Sequence, residues 1–473
     1  MAGAPFVFRP VKRDAFILSC RSFGKGASFA AFHRRLISTS PKMRCATLAA
    51  LFAATARAAV VDTRATATST NASSSSVTDG GWETRYTATG AADVAAAAAT
   101  AKTSSLTSNV TGKAFDRFVI IWNENTDYEK ARGDPNLSWL AEKGILLDNN
   151  FAVTHPSQPN YFASVCGDYL GMQNDDFNRA DRNVSTVFDL LDTRGISWGA
   201  YMEDMPFSGF EGVAWVNRQN GANDYVRKHN PPVLFDSVAS SEQRLSQIKN
   251  VSMTQPGRSQ FHADLAADAL PQWVWVTPNM TSDGHDTSVT VAGSWTRRFL
   301  EPLLADARFM RNTLVLVTFD ENESYARQNR VLGILLGDAV PRALVNTTDP
   351  SFYNHYSELA TVQANWDLPS LGRWDVGANV YRWVAEKTGS VVRQWSAAAA
   401  VPDRFWNQSY AGFLNTDAPA RYPKPNLALG KNAAGKGVLD SVKQTWKDST
   451  APTYYEDTIH VPDGLNPPNG YAA

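Results

Sequence analysis

Apolar runs of strand length alternate with helical stretches along most of this chain, and this alternation limits the fold more than any other feature of the sequence. The strand-type runs are Phe115–Trp122, Ile196–Met202, Gln272–Val276, Thr313–Phe319 and Val331–Leu336. The helical stretches are Leu137–Lys143, Val184–Arg194, Val291–Leu304 and Tyr356–Trp366. Repeated strand–helix–strand units with near-continuous apolar strands predict an α/β fold, with a mainly parallel central sheet and helices on both faces.

Composition divides the chain into four predicted segments. Ala, Ser and Thr dominate the stretch before the first strand, which lacks the periodicity of a core element, whereas Pro, Asn and Gly are frequent near the C-terminus. The predicted segments are a leader at 1–58, a flexible segment at 59–112, a folded domain at 113–400 and an irregular C-terminal wrap at 401–473.

The N-terminal region carries a signal for export. From Met43 the chain has one early arginine, a short apolar stretch and the small-x-small triplet Ala56-Arg57-Ala58, a pattern typical of a secretory signal peptide. Asn-x-Ser/Thr sequons spread along the chain favour the same route and predict glycosylation. The predicted glycosylation sites are Asn109, Asn136, Asn183, Asn250, Asn279, Asn346 and Asn407. We therefore expect a secreted protein, extracellular or held in the cell wall.

Charge and cysteine content exclude several classes of function. The formal net charge is −1, so no overall basic field recruits nucleic acid. The apolar stretch after Met43 is too short and too rich in alanine for stable membrane insertion. Two of the three cysteines lie in the leader, so Cys166 has no partner for an internal disulfide or a cysteine-based zinc site.

Acidic and amide side chains follow three of the predicted strands. Glu124-Asn125 follow the first strand, Asp320-Glu321 follow the strand that ends at Phe319, and a third strand leads into Asp283-Gly284-His285-Asp286. Ligands of open α/β sheets bind beyond the carboxyl ends of the strands. Clustered carboxylates repel one another unless a cation intervenes, so these residues predict a divalent-cation site. Each pair alone also fits helix capping or loop solvation.

Ser157 lies in an unusual loop at 154–161, where Pro156 and Pro159 restrict the backbone on either side. A helical run follows at Tyr161–Val165. A serine held just before a helix lies where backbone N–H groups stabilise negative charge, which suits a nucleophile that attacks a phosphate. The residues alone fit a helix-capping serine in a proline-braced turn equally well.

Three histidines lie where they could take part in phosphate chemistry. His229 and His285 occur in polar loops suited to holding a phosphate or a leaving oxygen, and His155 is two residues from Ser157. Each histidine alone is more often a surface or structural residue than a ligand.

Six short motifs occur in one order along the chain and carry a family resemblance. They are Glu124–Tyr128, Thr154–Tyr161, Tyr201–Pro206, Lys228–Pro231, Asp283–Asp286 and Thr318–Glu321. Together they resemble the phosphoesterase family that contains fungal secreted acid phosphatases and bacterial phospholipases C, within the alkaline-phosphatase-like superfamily. The resemblance extends over residues 115–370.

The resemblance implies a secreted acid phosphatase that acts on small phosphate monoesters through a phosphoseryl intermediate and one divalent metal ion. It implies a catalytic set of Ser157, His229 and His285, a substrate-binding set of Asn160 and His155, a metal-binding set of Glu124, Asn125, Ser157, Asp320 and Glu321, and His355 as a further candidate. A phosphodiesterase of the phospholipase C type is the alternative within the family. A non-catalytic secreted surface or sugar-binding protein is the alternative outside it.

Overall fold

A computed structural model describes residues 90–217, 220–394, 404 and 406–468. These residues all belong to one compact unit of the chain, 73–473. The predicted leader and signal peptide lie outside the described residues, so both stay predictions. Within the described ranges, no helix combines the length and apolar character needed to cross a bilayer.

The strands are short and mostly buried. In chain order they are β1 (Arg117–Asn123), β2 (Ile145–Leu147), β3 (Asn150–Phe151), β4 (Trp198–Glu203), β5 (Ala214–Val216), β6 (Asn223–Val226), β7 (Ile248–Val251), β8 (Trp273–Thr277), β9 (Thr313–Phe319), β10 (Gly333–Leu336), β11 (Thr347–Asp349) and β12 (Tyr353–Asn354).

The α-helices lie between these strands or after them, except the first, which precedes β1. They are α1 (Ala91–Thr100), α2 (Tyr128–Gly133), α3 (Pro135–Ala141), α4 (Ser157–Cys166), α5 (Val187–Asp192), α6 (Asp236–Ala239), α7 (Glu242–Leu245), α8 (Gln260–Ala266), α9 (Val289–Leu303), α10 (Ala307–Met310), α11 (Tyr356–Trp366), α12 (Arg382–Thr388) and α13 (Asp440–Trp446). Single 3-10 turns occur at Arg227–His229, Pro231–Leu234, Pro256–Arg258 and Arg342–Leu344.

Eight strands form the central sheet in the order β11-β2-β10-β9-β1-β8-β4-β7. β1 lies in the middle and pairs in parallel with both β8 and β9, while β4 pairs in parallel with β8 and β7. β10 runs antiparallel to its neighbours β9 and β2. The predicted α/β class with a mainly parallel central sheet is therefore confirmed.

Two hydrophobic cores lie on the two faces of this sheet. Along β1, Phe118, Ile120 and Trp122 belong to one core, and Val119 and Ile121 belong to the other. This alternation follows from the two-residue period of a strand. Helices α4, α5 and α11 contribute to the first core, and α3 and α9 contribute to the second. Helices thus cover both faces, and the carboxyl ends of the parallel strands are left to form a polar rim.

The stretch 90–112 differs from the predicted flexible segment. α1 places Val94 in the first core, and the Ser105 hydroxyl donates to Asp264 Oδ1 at 2.5 Å. The Ser108 hydroxyl donates to Gln272 Oε1 at 2.6 Å. The composition of this stretch is that of a linker, but its serines donate hydrogen bonds to the body of the fold. Residues 59–89 lie outside the described ranges.

The chain after residue 406 is largely irregular, with α13 as its one α-helix among the described residues. Its aromatic side chains are nevertheless part of the first core. Trp406, Tyr410, Tyr454 and Tyr455 are all at most 5% exposed. This stretch is therefore packed on the body, and the exact boundary at 400/401 stays a prediction.

The predicted glycosylation sites differ in accessibility. Asn109, Asn183 and Asn346 are exposed, and Asn136, Asn250 and Asn407 are partly exposed. Asn279 is only 7% exposed, its amide donates to Asp204 Oδ2 at 3.0 Å, and its carbonyl oxygen accepts from Thr281. The prediction of a glycan at Asn279 does not fit the structure, because the residue is buried and the nitrogen that would carry the glycan is hydrogen-bonded.

Candidate active site

The rim of the sheet is held together where β1 and β9 end. Backbone hydrogen bonds continue past the last residues of these strands, from Asp320 N to Asn123 O at 3.2 Å and from Glu124 N to Asp283 O at 3.1 Å. These bonds hold the acidic residues that follow three of the strands close to one another. The predicted convergence of strand-end side chains is therefore present in the fold.

Ser157 is the first residue of α4 and is only 2% exposed. Its hydroxyl oxygen lies 3.1 Å from Glu124 Oε2 and 3.2 Å from Glu321 Oε1, so its single proton is shared between two carboxylate acceptors. The serine therefore bridges the ends of β1 and β9. At the start of α4, backbone N–H groups without helical partners favour negative charge at this position.

Four buried carboxyl groups lie at this rim of the sheet, and Ser157 contacts two of them. Glu124, Asp283, Asp320 and Glu321 are each at most 1% exposed. Both oxygens of Asp320, and one oxygen each of Asp283 and Glu321, form no hydrogen bond of normal geometry among the described residues. Burial raises the pKa of these three groups well above the usual range, and the charge of Glu124 raises each pKa further. The nearby Ser157 hydroxyl and Glu321 N–H lower the pKa of Asp320, but burial outweighs them.

These unpaired oxygens fit a divalent cation. A buried carboxylate without donors is costly unless a counter-charge is present, and hard cations bind carboxylate and amide oxygens. Asn125 is partly buried and directly follows Glu124 in the chain. The predicted metal ligands Glu124, Asn125, Asp320 and Glu321 therefore lie together with Ser157.

His229 lies on the other side of Glu124. Its Nε2 is 3.3 Å from Glu124 Oε1, and its Nδ1 is 3.9 Å from Asp283 Oδ2. One ligand atom from each of these three residues lies within 4.8 Å of the others, an arrangement that could hold a metal ion. Burial lowers the pKa of His229 well below its usual value, which favours the neutral imidazole that ligates metals.

Tyr161 holds His229 and Glu124 in place. Its hydroxyl donates to Glu124 Oε1 at 2.5 Å, and its ring stacks on His229 with centroids 4.9 Å apart. Sequence reasoning placed Asp283 among the strand-end residues of a predicted cation site, but it missed the role of Tyr161. The position of Tyr161 inside the motif Thr154–Tyr161 is the signal that could have identified it.

His285 lies at the mouth of the site rather than inside it. Its side chain is 31% exposed and its ring centroid is 6.2 Å from that of His229. Its Nδ1 lies 2.8 Å from Asp286 Oδ1, which fixes the orientation of the ring. The structure therefore brings His285 to the solvent side of the cluster.

The other two predicted histidines are buried beside the carboxylates. His155 Nε2 lies 3.8 Å from Glu321 Oε2 and 3.0 Å from Asn322 Oδ1, and burial lowers its pKa. His355 Nε2 bonds the backbone carbonyl of Asp320 at 2.6 Å, and burial lowers the pKa of His355 to about 3. His355 thus positions Asp320 from behind, whereas His155 lies beside Glu321.

Asn160 does not face the cluster in the way predicted for a substrate-binding residue. Its carbonyl oxygen accepts from Val153 N at 3.0 Å and Thr154 N at 3.2 Å, and its amide donates to Thr154 O at 2.8 Å and Pro156 O at 3.1 Å. These four bonds use the amide on the backbone of its own loop. Asn160 therefore shapes the turn that presents Ser157.

Comparison with known proteins identifies the family of this chain. The model of the Phosphoesterase family matches residues 134–369. An acid phosphatase from Aspergillus fumigatus is 49% identical over 364 residues, covering 76% of this chain and 79% of the relative. A phosphate-repressible acid phosphatase from Penicillium chrysogenum is 50% identical over 363 residues, covering 77% and 85%.

Among solved structures, a protein of the alkaline phosphatase superfamily from Vibrio parahaemolyticus aligns with a TM-score of 0.34 and 12% identity. The alignment covers 57% of this chain and 73% of that one. The relationship to the two fungal proteins is much closer in sequence and extends over most of each chain. This chain therefore belongs to the Phosphoesterase family, as an enzyme of the acid phosphatase class.

Proposed function

We propose that this enzyme hydrolyses small phosphate monoesters by direct attack of Ser157 on phosphorus, with a phosphoseryl intermediate and one bound divalent cation. The observation that carries the proposal is the position of the Ser157 hydroxyl, between Glu124 and Glu321 and at the first residue of α4. A hydroxyl in contact with two carboxylates at a helix N-terminus suits a nucleophile for an anionic substrate.

The cation would be held by the carboxylate and amide oxygens nearest to the serine. The proposed ligands are Glu124, Asn125, Ser157, Asp320 and Glu321. Their support is the set of buried carboxylate oxygens that form no hydrogen bond of normal geometry among the described residues. When bound there, a divalent cation lowers the pKa of a serine hydroxyl and neutralises charge on phosphoryl oxygens.

In the first step, Ser157 Oγ bonds to phosphorus while the bond from phosphorus to the ester oxygen breaks. The serine proton passes to Glu124 or Glu321, the carboxylates that the hydroxyl already contacts. His285 is proposed to protonate the leaving oxygen, because it lies at the solvent side of the cluster and Asp286 orients its ring. His229 and His155 are proposed to border the phosphoryl group from within.

In the second step, water attacks the phosphoserine. The neutral His285 left by the first step takes a proton from this water, the bond from Ser157 to phosphorus breaks, and inorganic phosphate leaves as the serine regains its proton. Two in-line displacements give net retention at phosphorus. Net inversion with a chiral phosphate ester would contradict the covalent intermediate.

The proposal is tested with Ser157→Ala, and Ser164→Ala is its matched control on the same helix. Ser164 is buried, and its hydroxyl donates to the backbone oxygen of Tyr161. We expect Ser157→Ala to lower kcat/KM for p-nitrophenyl phosphate by about 10³-fold or more, and Ser164→Ala to stay near wild type. Faster turnover of a phosphocholine diester than of the monoester would favour the phospholipase C type of activity instead.

Metal analysis separates the two groups of candidate ligands around Glu124. Asp320 belongs to the proposed set, and Asp283 belongs to the set with His229. We expect one equivalent of bound divalent metal in the wild type, its loss in Asp320→Asn and its retention in Asp283→Asn. If Asp283→Asn loses the bound metal and Asp320→Asn retains it, the cation binds on the other side of Glu124, with His229 and Asp283.

Secretion is proposed together with this activity. The exposed sequons at Asn109, Asn183 and Asn346 support passage through the secretory pathway. Protein purified from culture medium should shift in electrophoretic mobility after endoglycosidase treatment. Glycopeptide mapping should find no glycan on Asn279, which is buried.

A further inference from the structure

The ion pair of Lys228 with Asp175 lies beside the nucleophile. Asp175 Oδ1 accepts a hydrogen bond from the backbone N–H of Gln158 at 2.9 Å, and Gln158 is the residue after Ser157. Asp175 Oδ2 accepts from Lys228 Nζ at 2.9 Å. One carboxylate therefore connects the start of α4 to the lysine side chain.

Lys228 is also fixed to the site from its backbone side. It directly precedes His229 in the 3-10 turn Arg227–His229. His229 Nε2 lies 3.3 Å from Glu124 Oε1. The Lys228 side chain is only 18% exposed. Its ammonium group is thus held between the segment that carries His229 and the helix that carries Ser157.

The charge of this lysine acts on the carboxylate cluster. Burial by itself lowers the pKa of Lys228, but the carboxylates of Asp175 and Glu124 outweigh burial and raise that pKa. Lys228 in turn lowers the pKa of Glu124, against the larger effect of burial. The Lys228 ammonium group pairs with the carboxylate that also accepts from the backbone N–H of Gln158, so this positive charge lies beside the start of α4.

A phosphate ester needs positive charge at this place. The site contains four buried carboxyl groups, which repel an anionic substrate unless cations offset them. A lysine ammonium is a compact point charge with three donors, which suits contact with a phosphoryl oxygen.

We infer that Lys228 binds a non-bridging phosphoryl oxygen of the substrate and stabilises the charge that develops there in the transition state, and that Asp175 is a positioning residue that directs its ammonium group. The inference rests on the proposed function and adds a residue to its substrate-binding machinery. No bond to Lys228 forms or breaks during the reaction.

The test compares Lys228→Gln, Lys228→Arg and Asp175→Asn, with Lys113→Gln as the matched control. Lys113 forms an ion pair with Asp367 at 2.7 Å and is 39% exposed, well outside the site. We expect Lys228→Gln to lower kcat/KM for p-nitrophenyl phosphate by about 10²-fold to 10³-fold. The inhibition constant for inorganic phosphate should rise at least tenfold, while Lys228→Arg recovers part of both losses because it keeps the charge.

Asp175→Asn should raise KM more than it lowers kcat, and this effect should disappear in the Lys228→Gln background, because both changes act through one ammonium group. If Lys228→Gln and Asp175→Asn keep wild-type kcat/KM and phosphate inhibition, as Lys113→Gln does, the inference is overturned. If Lys228→Gln fails to fold, unchanged phosphate inhibition in Asp175→Asn overturns it alone. Ser157→Ala distinguishes failure of the proposed function from failure of the inference about Lys228. If Ser157→Ala stays active, the proposed function fails whatever the Lys228 variants show.

Discussion

Buried carboxylates lie beside both ends of α4, and they differ in whether the fold supplies them with hydrogen-bond donors. At the start of α4, Ser157 contacts a cluster in which both oxygens of Asp320 form no hydrogen bond of normal geometry among the described residues. Just past its end, Asp168 is equally buried but accepts from the hydroxyls of Tyr410 at 2.5 Å and Tyr455 at 2.7 Å. A third hydroxyl, from Tyr454, lies at 3.4 Å.

The difference separates a structural carboxylate from a binding one. A buried carboxylate supplied with donors by its own fold needs nothing further, and it fastens together the segments that donate to it. A buried carboxylate without donors is stable only when a proton or a cation is added. Asp168 therefore fastens the C-terminal wrap to α4, and Asp320 is left free for a ligand.

Asp320→Asn tests the binding side of this comparison and should have the largest effect. We expect a loss of about 10³-fold in kcat/KM, because a proposed cation ligand is removed. In the wild type, chelation should lower the melting temperature, since it uncovers the unpaired oxygens. The melting temperature of Asp320→Asn should respond much less to chelator. An equal response in variant and wild type would contradict a cation at Asp320.

Asp168→Asn tests the structural side, and its effect should appear in stability rather than in chemistry. The amide NH₂ group would face tyrosine hydroxyls that now donate to a carboxylate, at a cost of about 1 to 3 kcal/mol in the free energy of unfolding. Denaturant unfolding measures this cost. The destabilisation should be the same with and without chelator, and metal content should match the wild type. A change in metal content would place Asp168 in the cation-binding group.

The sequence predicts the framework of this molecule well because its signals are local. β9 and α11 have the predicted bounds, Thr313–Phe319 and Tyr356–Trp366. β9 is an apolar run that stops at two acidic residues, and α11 is a helical pattern that stops before Asp367. Glu124 and Glu321 could be predicted to meet because both follow strands of one mainly parallel sheet. The structure adds that these two strands are direct neighbours, which strand order along the chain does not predict.

The directions of side chains could not be predicted in the same way. In Asp283-Gly284-His285, Gly284 has φ of +112°, and the Asp283 carbonyl bonds Glu124 N, which together place Asp283 inside and His285 at the rim. Asn160 likewise uses its amide on its own loop, because the backbone at Thr154 needs those partners. The donors to Asp168 come from more than 240 positions away in the chain, so no local pattern indicates them.

Tyr455→Phe sharpens the comparison with the smallest change, the removal of one hydroxyl. The ring, which belongs to the first core, keeps its packing, so the variant isolates the hydrogen bond to Asp168 Oδ2. We expect a loss of about 1 to 2 kcal/mol in the free energy of unfolding, with kcat unchanged. In a double-mutant cycle with Asp168→Asn, the double variant should lose less stability than the sum of the two single losses, since both changes remove the same bond. Full additivity would show that the hydroxyl of Tyr455 stabilises the wrap through some other contact, and Asp168 would then no longer explain how this end of α4 is held.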